Sequence, residues 1–268
     1  MKPEELSSYL KIAHEAAQAA RKVHISFFNK LRDVRNKQDS SLVSEADEQS
    51  EAVIRDILRK KTPQFDILGE EEGSELSQGS SEAKSNGRWI FDPLDGTTNY
   101  IHGYPFFCSS IGLEINGQTV VGVVDAALFN KTYHASLGGG AFCNSQKITV
   151  SESPQLSSSL IATGFMTYGG VDLERQIHVF QKLIQTARGI RRCGAAALEL
   201  CFLAEGSLDG FWEFGLKPWD MAAGSLIIKE AGGKVTNDKN QDFRVDHKAI
   251  VASNVLIHSE LISCLENS

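Results

Sequence analysis

No apolar run in this sequence approaches the roughly 20 residues needed to span a bilayer, and the opening MKPEELSSYL has no basic stretch followed by an apolar core. A membrane protein and a secretory leader are disfavoured, and a cytoplasmic location is expected. Lysine and arginine never gather into a block and the formal net charge is −7, so there is no general attraction to nucleic acid or to an anionic membrane. The five cysteines (Cys108, Cys143, Cys193, Cys201, Cys264) are never spaced as CxxC, which argues against a disulfide framework or a thiolate zinc site. The seven histidines form no HExxH or comparable metal pair, and they read as ordinary core or surface residues. An internal repeat and a flexible interdomain linker are also missing. If an acidic chain of this kind takes a phosphate, bound cations must supply the counter-charge, and that directs attention to carboxylates.

What is present is ordinary globular material. With 268 residues, 41% of them hydrophobic and 23% charged, the chain suits one large α/β domain or two coupled lobes. Apolar or small residues at Leu6, Leu10, Ala13, Ala17, Ala20 and Phe27 have helical spacing over 3–30. A second helix is expected from Glu45 to Lys61, capped by Ser44 and followed by Pro63. Phe65–Leu68 reads as a strand, and the polar stretch from Glu70 to Gly87 reads as a mobile surface loop. Arg88–Asp92 is a further strand. Phe107–Ile115 and Gln118–Ala127 form a hairpin about Asn116-Gly117, with more β structure through Val150.

Beyond Pro154 strand and helix alternate. Strands are expected near Leu160–Thr163, Leu208–Glu213 and Ala249–Ser253, and helices across Leu173–Ala187, Ala195–Ala204 and Trp219–Ala231, with one more at the C-terminus. Layered sheets with helices between and outside them are the expected α/β (α+β) architecture. A soft boundary near residue 153 separates an N-terminal lobe, 1–153, from a C-terminal lobe, 154–268, within one compact unit. Gly138-Gly139-Gly140 follows a β run without the Lys-Ser/Thr of a phosphate loop, so a hairpin connection is the better reading.

The chemistry concentrates in Trp89-Ile90-Phe91-Asp92-Pro93-Leu94-Asp95-Gly96-Thr97-Thr98-Asn99-Tyr100. An apolar strand delivers Asp92, Pro93 fixes a turn and Asp95 returns three residues later, so both carboxylates can converge on a point where a hard divalent cation binds. Gly96, Thr97 and Thr98 then offer N–H groups and hydroxyls at a helix start, where phosphate is favoured. An isolated DxxDG is often only a turn and a cap. On local pattern, Asp47 completes a capping box after Ser44, Glu70, Glu71 and Glu72 form a solvated acidic run, Asp220 complements a helix dipole, and Glu213 lies on an edge strand.

DPLDGTTNY, together with Gly69-Glu70-Glu71 upstream and Lys217-Pro218-Trp219-Asp220 downstream, resembles the inositol monophosphatase pattern, with three separated motifs in the right order. The resemblance runs from Asp47 to Gly233. It implies the α/β/α/β/α sandwich shared with fructose bisphosphatases, and a lithium-sensitive, Mg²⁺-dependent phosphatase that is typically a homodimer. Carried over by motif, Glu71, Asp92 and the Leu94 carbonyl would bind one Mg²⁺, and Asp92, Asp95 and Asp220 a second. A third, weaker site is often proposed beside the glutamate, here Glu71.

Two cations about 3.5–4 Å apart neutralise a phosphate monoester, activate water and stabilise the leaving oxygen. In the family Thr97 and Asp47 would orient the water, with Glu71 beside them in the catalytic set. Asp95, Gly96, Thr97, Thr98, Gly194, Ala195, Ala196, Glu213 and Asp220 would contact substrate. Ala195 departs from the threonine usual at its position, and Ser44 replaces a threonine while keeping the hydroxyl. The substrate is then a small phosphate monoester. Thr97-Thr98-Asn99-Tyr100 favours polyol and sugar phosphates over 3′-phosphoadenosine 5′-phosphate, whose hydrolases tend to carry Thr-Lys-Glu-Phe there. Fructose 1,6-bisphosphate and histidinol phosphate remain alternatives, as does a regulatory protein that keeps the fold without needing the carboxylates. No membrane partner and no direct nucleic-acid contact are expected.

Overall fold

The computed structural model describes residues 1–31, 33–36, 42–77, 86–165 and 172–266. The chain opens with helix α1 (Pro3–Phe27), whose buried stripe Leu6, Ala13, Ala16, Ala17 and Ala20 is nearly all alanine, so a neighbour can approach closely. A short pair, β1 (Val34–Asn36) and β2 (Leu42–Ser44), leads into α2 (Glu45–Lys61). At the start of α2 the Ser44 hydroxyl accepts from the Ala46 N–H at 3.2 Å and the Asp47 carboxylate accepts from the Ser44 N–H at 2.8 Å, closing the expected capping box.

Next come β3 (Asp66–Gly69), β4 (Gly73–Glu75), β5 (Gly87–Asp95), the one-turn helix α3 (Thr97–Ile101), β6 (Cys108–Ile115), β7 (Gln118–Ala126), β8 (Lys131–Ser136), β9 (Gly140–Cys143) and β10 (Gln146–Lys147). The second half holds β11 (Leu160–Thr163), α4 (Leu173–Thr186), β12 (Gly189–Arg191), α5 (Ala196–Ala204), β13 (Gly210–Phe214), α6 (Pro218–Glu230), β14 (Lys234–Thr236), β15 (Ala249–Ser253) and α7 (His258–Glu266). One sheet has eight strands in the order β10-β9-β8-β7-β6-β5-β3-β4, and the other has five in the order β12-β11-β13-β15-β14.

Five layers result. α1 and α2 cover one face of the large sheet, α5 and α6 fill the space between the sheets, and α4 and α7 cover the outer face of the small one. α5 and α6 are buried on all sides, which is why AALELCFLA and PWDMAAGSLIIKE show no polar face. α6 lies close on the large sheet because Gly112 and Gly122 face it. A Cβ on Gly122 would sit 2.9 Å from the Ala223 carbonyl.

The polar stretch read as a loop departs from that reading at its start. Gly73–Glu75 pairs with β3 as β4, because Arg55 and Arg59 of α2 reach Glu75; residues 78–85 of that stretch lie outside the described residues. The glycine run at 138–140 is a hairpin, with Gly138 and Gly140 N–H groups donating to Glu230 at 2.8 Å each.

Candidate active site

The site begins with an irregularity in β5. Asp92 pairs with Ser110 and Asp95 with Cys108, so Pro93 and Leu94 of β5 stand against the single Ser109 of β6. In an unbroken strand residues three apart face opposite sides. The bulge cancels that alternation, and the two aspartates come close enough for their charges to interact. Pro93 sits in the bulge, where no ladder bond needs its missing N–H, and its carbonyl accepts from His24 Nε2 at 2.9 Å. That contact requires the Nε2–H tautomer, and burial holds the ring down at a pKa of about 4. Asp92 Oδ1 accepts from the Leu94 N–H at 2.8 Å. Asp95 Oδ2 accepts from the Ala197 N–H at 2.7 Å and so caps α5, whose own N-cap residue Ala195 has no side-chain acceptor.

Gly96 follows with a φ of +94°, and α3 starts there. The Thr97 hydroxyl donates to Asp47 Oδ1 at 2.7 Å. Asp47 is 1% exposed, and its pKa is pushed up to about 6 by burial, against hydrogen bonds from Ser44 and Thr97 that lower it. Capping and holding Thr97 are both performed by this one carboxylate, one oxygen for each.

Asp92 and Asp95 are 2% and 8% exposed. Burial is the largest influence holding each carboxyl well above its ordinary value. For Asp92 the carboxylates of Glu70, Asp95 and Asp220 follow, and for Asp95 those of Asp220, Glu199 and Glu70 contribute. Glu70 acts on Asp92 and Asp95 alike, and on Asp47 as well. The Glu71 N–H and that of Glu72 donate to the Glu51 carboxylate at 2.9 and 3.0 Å. The electrostatics thus favour Glu70 where the motif reading pointed to Glu71. The β3–β5 register sets Gly69 opposite Phe91, and Glu70 and Asp92 are the residues that directly follow this pair on the two parallel strands.

From the second half, Pro218 opens α6 and Asp220 Oδ2 accepts from the Lys217 N–H at 2.7 Å. The Trp219 carbonyl accepts from the Ser110 hydroxyl at 3.0 Å, anchoring this helix start to β6 beside the bulge. Glu213 is 6% exposed on β13, which lies between β11 and β15, so it is not the edge-strand surface residue that local pattern allowed. Burial pushes its carboxyl up, with Glu199 and Asp220 adding to the shift and Arg192 opposing it. Gly194 has a φ of +86°, and the turn it forms is held by Asn99 Nδ2, which donates to the carbonyls of Cys193 at 2.8 Å and Phe106 at 2.7 Å. Ala195 and Ala196 are buried behind it, whereas Thr98 is exposed.

The inositol monophosphatase family model matches residues 5–268. The chain belongs to the inositol monophosphatase family. It is 39% identical over 264 residues to the inositol-1-monophosphatase of Synechocystis sp., covering 98% of this chain and 90% of that one. It is 37% identical to the fructose-1,6-bisphosphatase/inositol-1-monophosphatase of Aquifex aeolicus, covering 97% and 96%. Among solved structures, the extragenic suppressor protein SuhB from Bartonella henselae superposes with a TM-score of 0.90 at 36% identity, covering 97% and 99%.

Members of this family are metal-dependent, typically on Mg²⁺, and the residues here fit such an ion. The donors are oxygens, the choice of a hard divalent cation. The strongest influences on Asp92 and Asp95 are burial and like charge, opposed by a backbone N–H rather than by a side-chain cation. Among the described residues no three His, Cys, Asp or Glu side chains close into a metal cage. Backbone N–H groups take one oxygen each of Asp92, Asp95 and Asp220. A separate cavity of about 430 Å³, bordered by Arg175, Phe214, Asn237 and Lys248, includes none of these aspartates.

Motif reading did not single out His24, Asn99 or Glu199. His24 and Asn99 hydrogen-bond to backbone far away in sequence, and Glu199 accepts from the nearby Cys193 N–H at 2.9 Å. Only Asn99, inside the DPLDGTTNY stretch, carried any signal.

Proposed function

We propose that the chain hydrolyses the phosphate monoester of a polyol or sugar, inositol monophosphate foremost, with Mg²⁺ held by Glu70, Asp92, the Leu94 carbonyl, Asp95 and Asp220. The observation that carries this reading is the buried cluster of like-charged carboxylates at the β5 bulge. Two or more buried carboxylates repel one another unless they are protonated or share a cation. When bound, Mg²⁺ supplies charge neutralisation for the phosphate and its leaving oxygen and acidifies water.

The chain's own groups do the rest. Thr97 donates its proton to Asp47 Oδ1, which leaves the Thr97 oxygen as an acceptor that orients a water hydrogen. Asp47, poised at about 6, is suited to accept a proton near neutral pH. The start of α3 and the Gly194 turn border the phosphate, and small residues at 194–196 admit the rest of the substrate. Glu213 accepts from a substrate hydroxyl. A regulatory protein that merely retained the fold would gain nothing from burying Asp92 and Asp95 together.

The test is a panel of phosphate-release assays with inositol 1-phosphate, fructose 1,6-bisphosphate, 3′-phosphoadenosine 5′-phosphate and histidinol phosphate, with and without Mg²⁺. Polyol or sugar phosphates are expected to lead. Because a charge-assisted hydrogen bond contributes about 1.5–3 kcal/mol, Glu213→Gln should lower kcat/KM for inositol 1-phosphate about tenfold to a hundredfold. 4-Nitrophenyl phosphate has no ring hydroxyl and should be affected far less; equal losses on both would remove Glu213 from substrate recognition.

A cytoplasmic, lithium-sensitive homodimer completes the proposal. Among the described residues no helix is long and apolar enough to cross a membrane, and α4 exposes Leu173, Ile177 and Ile184 at 44%, 50% and 56% on one side, a stripe that a second copy would cover. Sedimentation returning the mass of one chain would contradict the dimer.

A further inference from the structure

We propose that Glu51 and Arg55 of α2 are positioning residues that set Mg²⁺ affinity by fixing the turn that carries Glu70. This rests on the reading of Glu70 as a metal ligand given above. The motif gives neither residue a role, and both are charged groups deep in the protein: Glu51 is 0% exposed and Arg55 is 4% exposed. Buried charges are kept where a counter-charge or a metal accompanies them.

Their pairing is directed at one short piece of chain. Glu51 Oε2 accepts from the Glu71 N–H at 2.9 Å and Oε1 from the Glu72 N–H at 3.0 Å, so the two amides that follow Glu70 are held by a single carboxylate. Arg55 Nη2 donates to Glu51 Oε1 at 2.5 Å and to the Gly73 carbonyl at 3.1 Å. Its Nη1 donates to Glu75 at 3.3 Å, and its Nε lies 3.2 Å from the Glu72 carboxylate as an ion pair without hydrogen-bond geometry. The guanidinium also lies 5.7 Å from the Phe91 ring centre, and Phe91 directly precedes Asp92. The turn from Gly69 to Glu75 is thus gripped from within by α2, on the same helix whose first turn presents Asp47.

Gly69 shows how tight the grip is. A Cβ at this position would collide with the Glu51 carboxylate and the Arg55 guanidinium, so the glycine of Gly69-Glu70-Glu71 makes room for the clamp. Groups that orient metal ligands in this way typically change metal affinity or activity by about 10–100-fold when altered.

The test is Mg²⁺ titration by calorimetry on the full chain, a readout independent of turnover, together with hydrogen exchange at the Glu71 and Glu72 amides. Glu51→Gln, which keeps the shape but loses the charge held against Arg55, is expected to weaken Mg²⁺ binding about tenfold and speed exchange at both amides, with kcat at saturating Mg²⁺ within about twofold of wild type. Arg55→Lys keeps the charge but cannot reach all four partners; it is expected to weaken binding in the same direction and decides the matter if Glu51→Gln does not fold. Ile54→Val, a buried apolar change on the same helix, should lower Tm without changing Mg²⁺ affinity. Unchanged affinity in Glu51→Gln or, failing that, in Arg55→Lys overturns the clamp. If Glu70→Gln and Asp92→Asn also bind Mg²⁺ like wild type, it is the metal-centre reading itself that fails.

Discussion

Asp92 and Asp95 could be paired from the sequence because Pro93 between them breaks strand alternation, and the bulge is the physical form of that break. Glu70 could not be chosen with the same security. Three consecutive glutamates offer no local difference, and the choice is made by the pairing of Gly69 with Phe91 on another strand. The expected outcome is that Glu70→Gln lowers kcat/KM at limiting Mg²⁺ by about a hundredfold or more, as loss of a group that stabilises transition-state charge does. Glu71→Gln, which leaves the N–H held by Glu51 in place, should stay within about threefold, the scale of a surface substitution. Steady-state kinetics of the two variants decide it, and the reverse order would restore Glu71 as the ligand. The Asp47 cap was legible from its spacing after Ser44, and the family motif named the same residue, whose other oxygen accepts from Thr97.

Long elements with a clear period were readable, and short ones made by tertiary contact were not. α2, β11 and β15 run over the residues their patterns indicate. β1, β4, β12 and β14 have three residues each, too few for an alternation to register, and β4 forms inside a stretch whose composition reads as loop. The helices also bury histidines that no pattern marked. His24 of α1 and His258 of α7 are 0% and 1% exposed, and burial lowers the pKa of each from 6.5 to about 4. Both fold as the neutral ring, so the folded state binds fewer protons than the unfolded chain below pH 6.5. Their contribution is fully present above that pH and is lost as the pH falls toward 4. For His24 the fall to about 4 corresponds to roughly 3 kcal/mol. Urea unfolding from pH 7 to pH 4.5 should show declining stability, and NMR titration should find both rings neutral down to near pH 4. Either ring titrating near 6.5 would contradict this.

At the scale of the whole molecule, the layered α/β/α/β/α architecture followed from strand and helix alternation only in outline; that α5 and α6 lie between the two sheets shows in their lack of a polar face. The site sits where those layers meet. Asp95 of the large sheet caps α5, Ser110 of the same sheet holds the start of α6, and Glu213 rises from the small sheet. Burying like charges at this junction is costly to the ion-free protein and favourable once a cation is bound. The most direct measurement is phosphate release from inositol 1-phosphate by wild type and Asp92→Asn, each with Mg²⁺ and after EDTA, alongside Tm of both without metal. Wild type is expected to turn over only with Mg²⁺, and Asp92→Asn to lose about a thousandfold while its metal-free Tm equals or exceeds that of wild type, because one repelling charge is gone. Turnover that survives EDTA, or an Asp92→Asn enzyme that keeps most of its activity, would contradict a metal centre at this bulge.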